Sequence, residues 1–252
     1  MEAVISEGRA LEIVHEFLNE ILNDYNDILA LYIIGSLDGG YYRPGQSDID
    51  TLIIVNNEAT VTQEQMDEVA EKYELKYSVP KGFGAVVIRL EDLFPPYDNY
   101  EYTEEVARLK MQGKVMYGKI NLEDIKMPST ADFIEDALAK EKWLDEKDGE
   151  ELFYKFPIRG CVNIIVSYLS RYTMIKAGVF EFNKFKKIET YMRHDPLMVN
   201  ESVFDFIQKQ LRGEVQGDEA DLDMLRNFGT QLRAFFKEWL QSDEIQAKRE
   251  SL

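Results

Sequence analysis

Two short apolar runs joined by a glycine-rich loop constrain the fold of this chain more than any other feature. Residues 29–34 and 48–55 are rich in aliphatic and β-branched side chains, and the first run stops at Gly35. Runs of this length, bounded by turn residues, are typical of strands covered on both faces. The loop between them, residues 39–46, is dense in glycine and proline. The sequence therefore predicts two buried strands separated by a turn-rich loop.

Helical periodicity dominates the segments around these strands. Apolar residues recur at steps of three and four between positions 10 and 25, which predicts an amphipathic helix. A second helix is predicted at residues 62–73, where a hydroxyl side chain opens the segment. Two further strands are predicted at residues 74–79 and 85–90, and a short helix at residues 104–113 ends in glycine.

The chain changes character after a polar stretch at residues 121–130. Beyond it only helical periodicity is seen, for example at residues 161–175 and 222–239. The sequence therefore predicts an α+β protein with two domains. The first, residues 1–125, combines a sheet with helices, and the second, residues 126–252, is a helical bundle.

Charge and composition narrow the classes of function. The formal net charge of -18 repels a phosphate backbone, and no stretch clusters lysine and arginine with aromatic residues, so a nucleic-acid partner is disfavoured. The same charge attracts a small cationic substrate, or it simply keeps the protein dispersed in solution. One cysteine, Cys161, excludes an internal disulfide. The first residues lack an export signal and no apolar run reaches about 20 residues, so a cytoplasmic location without a membrane partner is predicted.

Two aspartates at the start of the second apolar run provide a candidate metal site. Side chains at positions i and i+2 of a strand project from the same face, so Asp48 and Asp50 present two carboxylates about 7 Å apart. Mg²⁺ prefers such hard oxygen ligands, and a pair of carboxylates suits shared metal ions. An Asp-x-Asp pair alone is weak in a chain with 47 acidic residues. Its position after a strand, a Gly-Ser pair and a glycine-rich loop makes it specific.

The Gly-Ser pair at the end of the first run is a candidate phosphate site. Gly35 allows the backbone to approach phosphate oxygens closely, and Ser36 adds a hydroxyl and an amide. Amides at the start of a following helical turn would add to the affinity for an anion. In isolation the pair would be an ordinary strand exit. Beside Asp48 and Asp50 it predicts a cradle for a triphosphate.

The whole segment 35–50, Gly-Ser-Leu-Asp-Gly-Gly-Tyr-Tyr-Arg-Pro-Gly-Gln-Ser-Asp-Ile-Asp, resembles the signature of the DNA polymerase β-type nucleotidyltransferase superfamily. Its Asp-Gly-Gly and Arg-Pro features are similar to those of the adenylyltransferases that modify streptomycin and spectinomycin, which also join a nucleotidyltransferase domain to a helical bundle. The resemblance implies a mixed sheet, ATP as substrate and Mg²⁺ as cofactor. It implies that Asp48 and Asp50 bind the metal and act in catalysis, while Gly35, Ser36 and Ser47 bind the nucleotide.

The family carries a third carboxylate on a later strand, where it helps to bind metal and accepts the proton of the attacking hydroxyl. If residues 90–93 are matched to the segment that closes that strand in the family, the position falls near Gly84 or Ala85, and neither side chain can serve. Glu74 could replace it if its strand lies beside the Asp48 strand. Glu74 also alternates with Lys76 and Ser78, as the polar face of an exposed strand would.

Three functions are compatible with these patterns. The first is magnesium-dependent transfer of a nucleoside monophosphate, AMP from ATP, to a hydroxyl of a small, aminoglycoside-like acceptor. The second is a non-catalytic nucleotide-binding or regulatory protein with a degenerate site. The third is a nucleotidyltransferase that acts on a protein or RNA partner, which a basic stripe along the cleft would favour. Residues 170–172, Gly178 and Lys184 loosely resemble a nucleotide-facing part of the adenylyltransferase bundle, or they form an ordinary helix end.

Overall fold

The computed structural model describes residues 4–79, 81–95, 97 and 102–250. The chain divides into two compact units, Met1–Met127 and Pro128–Leu252. The first unit contains the sheet, and the second is helical.

The sheet of the first unit has four strands, β1 (Ile28–Ile34), β2 (Ile49–Val55), β3 (Phe83–Arg89) and β4 (Lys114–Gly118). Their order is β3-β2-β1-β4. β1 pairs antiparallel with both β2 and β4, whereas β2 and β3 are parallel, so the sheet is mixed. β1 and β2 are central, which explains why their sequences are almost continuously apolar.

Helices cover both faces of this sheet. α1 (Glu7–Asp24) and α2 (Gln63–Tyr77) pack on the face that carries Ile49 and Ile53. α3 (Thr103–Gln112) packs on the other face, with Leu52 and Ile54. Because successive side chains of a strand alternate between faces, Asp50 belongs to the α3 face.

The predicted strand at residues 74–79 is wrong, because α2 continues through this segment to Tyr77. The helix ends at Ser78, whose backbone is left-handed with a φ of 51°. Tyr77 donates a hydrogen bond to Glu16, and Tyr73 donates one to Glu20 at 3.0 Å. These contacts with α1 need the two tyrosines on one helical face, and they outweigh the alternating pattern that suggested a strand.

The second unit consists of helices α4 (Thr130–Lys147), α5 (Ile158–Ala177), α6 (Lys187–Met192), α7 (Glu201–Arg212), α8 (Glu219–Leu240) and α9 (Asp243–Glu250), with a 3-10 helix at Gly149–Lys155. Residues 128–250 are all described and contain no strand. α5 is the most buried helix, and Tyr168 and Tyr172 on it pack against Phe236 and Trp239 of α8. The helical second half is therefore as predicted.

One buried ionic network joins α4, α5 and α8. Arg233 is 7% exposed and donates to Glu141 at 2.9 Å and to Asp145 at 2.8 Å. Tyr168 donates to the other oxygen of Glu141. The charges of Arg233 and Glu141 are thus removed from water but remain paired, which is the condition for tolerating them in a core. Within the described residues, no helix combines the length and apolar character needed to cross a membrane.

Candidate functional site

The turn that follows β1 is built around Gly35. Its φ of 75° lies in the left-handed region that favours glycine. The Gly39 amide donates to the Gly35 carbonyl at 3.0 Å, and the Tyr41 amide donates to the Ser36 carbonyl at 3.2 Å. Leu37 is buried against the α1 and α2 side of the sheet. The backbone just beyond β1 is therefore fixed in a tight helical turn.

Ser36 lies in this turn with a buried hydroxyl. The residue is 5% exposed, and within the described part of the chain its Oγ has no hydrogen-bond partner. Buried hydroxyls are almost always hydrogen-bonded, and an unsatisfied one costs about 1–3 kcal/mol. A ligand oxygen at this turn would supply the partner, which fits the phosphate site that the sequence predicts.

Asp50 lies between two glycines. It pairs with Ile34 of β1 on one side and with Gly84 of β3 on the other. A Cβ atom added to Gly35 would lie 2.7 Å from Oδ2 of Asp50, and one added to Gly84 would lie 3.0 Å from its Oδ1. The absence of side chains at these two positions leaves the space around the Asp50 carboxylate open. The fold therefore places Gly35, the first residue of the predicted segment, directly beside Asp50, its last residue.

Asp48 directly precedes β2 and is partly exposed. The pKa of Tyr42 is raised mainly by burial and, to a smaller extent, by the nearby carboxylates of Asp48 and Glu7. The Tyr42 hydroxyl donates to the Ile5 carbonyl at 3.4 Å. This contact holds the loop between β1 and β2 against the segment that precedes α1, on the side of Asp48.

Ser47 organises the loop rather than presenting a vacant hydroxyl. It is 1% exposed, and its Oγ accepts a hydrogen bond from the Arg43 amide at 3.0 Å. The Ser47 amide in turn donates to the Arg43 carbonyl at 2.9 Å. These two bonds close the turn that delivers the chain into Asp48. Its assignment as a nucleotide-binding residue stays a prediction.

The position expected for a third carboxylate is occupied by glycine. The parallel register sets Gly84 directly beside Asp50, on the α3 face of the sheet. Ala85 points to the opposite face, where it belongs to the core with α1 and α2. The structure thus agrees with the sequence argument that neither residue can act as an acid, a base or a metal ligand.

Glu74 does not replace that carboxylate from a neighbouring strand, because it lies on α2. Its Oε2 is 3.4 Å from the position that a Cβ of Gly82 would take. α2 packs on the Ile49 face of the sheet, whereas Asp50 belongs to the other face. The hypothesis that a strand brings Glu74 beside Asp48 is therefore wrong.

A charged group on α3 lies near Asp50 and was not predicted. Arg108 donates to Glu104 at 2.6 Å, and both side chains are largely buried. Burial lowers the pKa of Arg108, but the carboxylates of Glu104, Glu105 and Asp50 together raise it above its ordinary value. In the sequence, Glu104 and Arg108 form an i,i+4 pair of the kind common on exposed helices. Only the packing of α3 on the sheet reveals their position.

The weaker signals in the second unit have local roles. Gly178 ends α5 with a φ of 65°, as an ordinary helix stop does. The Tyr172 hydroxyl donates to the Asp195 carbonyl, and Ser170 is buried within α5. Lys184 lies over the ring of Phe185, 5.9 Å from its centroid.

The residues of the first unit fit a nucleotide with Mg²⁺. Among the described residues, no group of three or more His, Cys, Asp or Glu side chains could hold a metal ion by itself. Mg²⁺ is commonly bound through one or two carboxylates together with substrate phosphates, because it retains most of its waters. The carboxylates of Asp48 and Asp50, together with the unsatisfied hydroxyl of Ser36, match that donor set.

Comparison with known proteins identifies a domain within the first unit. The family model for the nucleotidyltransferase domain matches residues 14–111, a span that includes Gly35, Ser36, Asp48 and Asp50. Residues 14–111 therefore carry a nucleotidyltransferase domain, and the resemblance predicted from the segment 35–50 is confirmed. No curated protein sequence matches the chain at a significant level.

Within this class, the fold of the chain is similar to that of a solved antibiotic adenyltransferase. The structure of spectinomycin adenyltransferase AAD(9) from Enterococcus faecialis with ATP and spectinomycin has a TM-score of 0.60 and 15% identity, covering 89% of this chain and 98% of that one. The predicted fold class, a mixed sheet domain followed by a helical region, is thereby confirmed. A mutant of the toxin-antitoxin MntA-HpeT and a toxin-antitoxin structure with AMP-PNP both have TM-scores of 0.31, with 15% and 16% identity. They cover 53% and 52% of this chain and 90% of each of those chains.

Proposed function

We propose that this protein transfers a nucleoside monophosphate, AMP from ATP, to a hydroxyl of a small, aminoglycoside-like acceptor in a magnesium-dependent reaction. The observation that carries the proposal is the unsatisfied hydroxyl of Ser36, which lies in the turn beside the glycine-flanked carboxylate of Asp50. The similar fold of AAD(9), solved with ATP and spectinomycin, supports the nucleotide and the class of acceptor. The proposed location is the cytoplasm.

The chain's own residues would act by binding and positioning. Gly35 and Ser36 would hold the β- and γ-phosphates in the turn after β1, with Ser47 keeping the loop in shape. Asp48 and Asp50 would hold Mg²⁺, which supplies neutralisation of the charge that builds up on the leaving pyrophosphate. The acceptor oxygen would attack the α-phosphorus, the bond to the bridging oxygen of pyrophosphate would break, and the hydroxyl proton would pass to solvent water.

We further propose a division of roles between the domains predicted from the sequence. Residues 1–125 would bind the nucleotide, and residues 126–252 would bind the acceptor. The net charge of -18 supports a cationic acceptor and disfavours a nucleic acid.

Gly84 favours a second candidate function, nucleotide binding or regulation without transfer. It lies beside Asp50, at the position where the family's third carboxylate was expected. A chain without that group could keep its affinity for ATP and Mg²⁺ and still fail to accept the proton of an acceptor hydroxyl.

The test is titration calorimetry with a non-hydrolysable ATP analogue, with and without Mg²⁺, followed by a pyrophosphate-release screen with ATP and a panel of aminoglycosides. We expect magnesium-dependent binding and release of pyrophosphate with at least one acceptor. Asp48→Asn and Asp50→Asn should each abolish both, because each removes a metal-binding charge without changing volume. Asp24→Asn, the same change at an exposed position of α1, is the matched control.

The outcomes separate the candidates. Magnesium-dependent binding without pyrophosphate release from any acceptor supports the second function. Wild-type levels of binding and release in both the Asp48→Asn and the Asp50→Asn variants would contradict the site itself.

A further inference from the structure

Lys114, the first residue of β4, lies at the same end of the strands as the proposed nucleotide site. Lys114 pairs with Ile33, and the next residue of β1, Ile34, pairs with Asp50. Neighbouring strands are about 4.8 Å apart, so the backbones of Lys114 and Asp50 are separated by about 10 Å across β1. The turn that carries Ser36 leaves β1 between them. A lysine side chain is long enough to reach this turn from its strand.

Lys114 also interacts electrostatically with Asp38, a residue of that turn. Asp38 follows Ser36 by two residues and is partly buried. Burial raises the pKa of its carboxyl group, and the positive charge of Lys114 acts in the opposite direction. Lys114 itself is exposed, so a ligand that arrives from solvent can reach its ammonium group.

The balance of charge at this end of the strands favours a role for Lys114 in binding phosphate. A nucleoside triphosphate brings several negative charges to a corner of the protein that already holds Asp38, Asp48 and Asp50, in a chain of net charge -18. Mg²⁺ offsets part of that repulsion. Lysine is a common binder of phosphate because its ammonium acts as a point charge with three donors.

We propose that Lys114 binds the terminal phosphates of the nucleotide and thereby selects triphosphates over monophosphates. This inference rests on the proposed function, since it assumes that the nucleotide lies at the Ser36 turn. Without nucleotide, Asp38 attracts the ammonium. With nucleotide, the more highly charged γ-phosphate competes with Asp38 for it.

A lysine on an edge strand has a structural alternative, which is to prevent unwanted pairing of the sheet edge with another strand. Lys119 follows the opposite end of β4, is equally exposed, and lies far along the strand from Ser36. Lys119→Gln therefore removes the same charge from the same edge without affecting the nucleotide. It is the matched control for Lys114→Gln.

The experiment measures magnesium-dependent binding of a non-hydrolysable ATP analogue and of AMP to the wild type and to the two variants. We expect Lys114→Gln to weaken binding of the ATP analogue by about two- to fivefold, as for one exposed charge pair with phosphate. Binding of AMP should stay unchanged, and Lys119→Gln should match the wild type for both ligands. The difference between wild type and Lys114→Gln should shrink as salt is raised.

Two results would overturn the inference while leaving the proposed function intact. One is unchanged affinity of Lys114→Gln for the ATP analogue. The other is an equal loss of affinity for the ATP analogue and AMP, which indicates a structural role. If the wild type fails to bind the ATP analogue with Mg²⁺, the proposed function and this inference fail together.

Discussion

Comparing the variants Gly35→Ala and Gly40→Ala should separate the cost of a strained backbone from damage to the proposed site. Gly35 has a φ of 75°, and Gly40, five residues later in the same loop, has a φ of 72°. An alanine in this left-handed region costs about 1–2 kcal/mol. Gly35→Ala and Gly40→Ala should therefore lower the free energy of unfolding by similar amounts, about 1–2 kcal/mol each. For a chain of this size the melting temperature should fall by about 2–8 °C.

Only one of the two methyl groups meets the proposed metal ligand. At Gly35 the new Cβ would lie 2.7 Å from Oδ2 of Asp50, whereas at Gly40 it has nothing within 4 Å. An ordinary van der Waals contact begins at 3.4 Å, so the Asp50 carboxylate has to move by about 0.7 Å. Displacing a group that supports metal binding typically costs 10- to 100-fold in affinity or activity.

The assay pairs thermal unfolding with calorimetric titration of the ATP analogue in the presence of Mg²⁺. We expect the two alanine variants to lose similar stability, and only Gly35→Ala to lose affinity, by at least about tenfold. If Gly40→Ala weakens nucleotide binding as much as Gly35→Ala does, the loss arises from the loop backbone and not from Asp50. If Gly35→Ala binds as the wild type does, Asp50 is not the metal ligand.

Two further predictions concern stability. Glu141→Ala should lower the free energy of unfolding in urea by about 3 kcal/mol, because it leaves the buried Arg233 without its buried carboxylate partner. Asp205→Ala, which removes an exposed ion pair, should cost under about 0.5 kcal/mol, and an equal cost for both variants would contradict this account. Burial and the hydrogen bond to Glu20 raise the pKa of Tyr73 to about 12. A raised pKa contributes stability that is complete below about pH 10, the ordinary value for tyrosine, and is lost as pH rises toward 12. Tyr73→Phe should therefore flatten the decline of the unfolding midpoint between pH 10 and 12, and an unchanged decline would refute the assignment.

Local patterns were sufficient to predict the central part of the sheet. β1 and β2 are buried on both faces, so their apolar runs are continuous and the strand signal is strong. The tight turn at Gly35 could also be predicted, because this glycine ends a strand and is followed by a serine and a glycine-rich segment. The same features carried the family resemblance.

The edge of the sheet and the length of α2 could not be predicted in the same way. β4 lies at the edge of the sheet with Val115 and Tyr117 exposed, so its residues do not show the alternation of a half-buried strand. The end of α2 is set by contacts of Tyr73 and Tyr77 with α1, more than 50 positions earlier. Contacts between such distant residues leave no periodic trace in the sequence.

The place of Arg108 beside Asp50 was missed for a related reason. The spacing of Glu104 and Arg108 predicts a helical ion pair but does not reveal which face of the helix is buried. Only the arrangement of α3 over the sheet brings this pair to the face of the sheet that carries Asp50. The charged groups around Asp50 thus come both from the sequence motif and from α3, which follows the motif by about 55 residues.

Gly84 and Glu104 differ in what they could contribute to binding and to transfer. Gly84 leaves space next to the carboxylate and provides no group that could accept a proton. Glu104 is a carboxylate on the same face of the sheet, but its hydrogen bond to Arg108 stabilises its charged form, and protonation would break a largely buried ion pair. In the proposed function, affinity for ATP and Mg²⁺ rests on Ser36 and the two aspartates and requires neither Gly84 nor Glu104. Release of pyrophosphate, and not affinity, is therefore the measurement that distinguishes a working transferase from a nucleotide-binding relative.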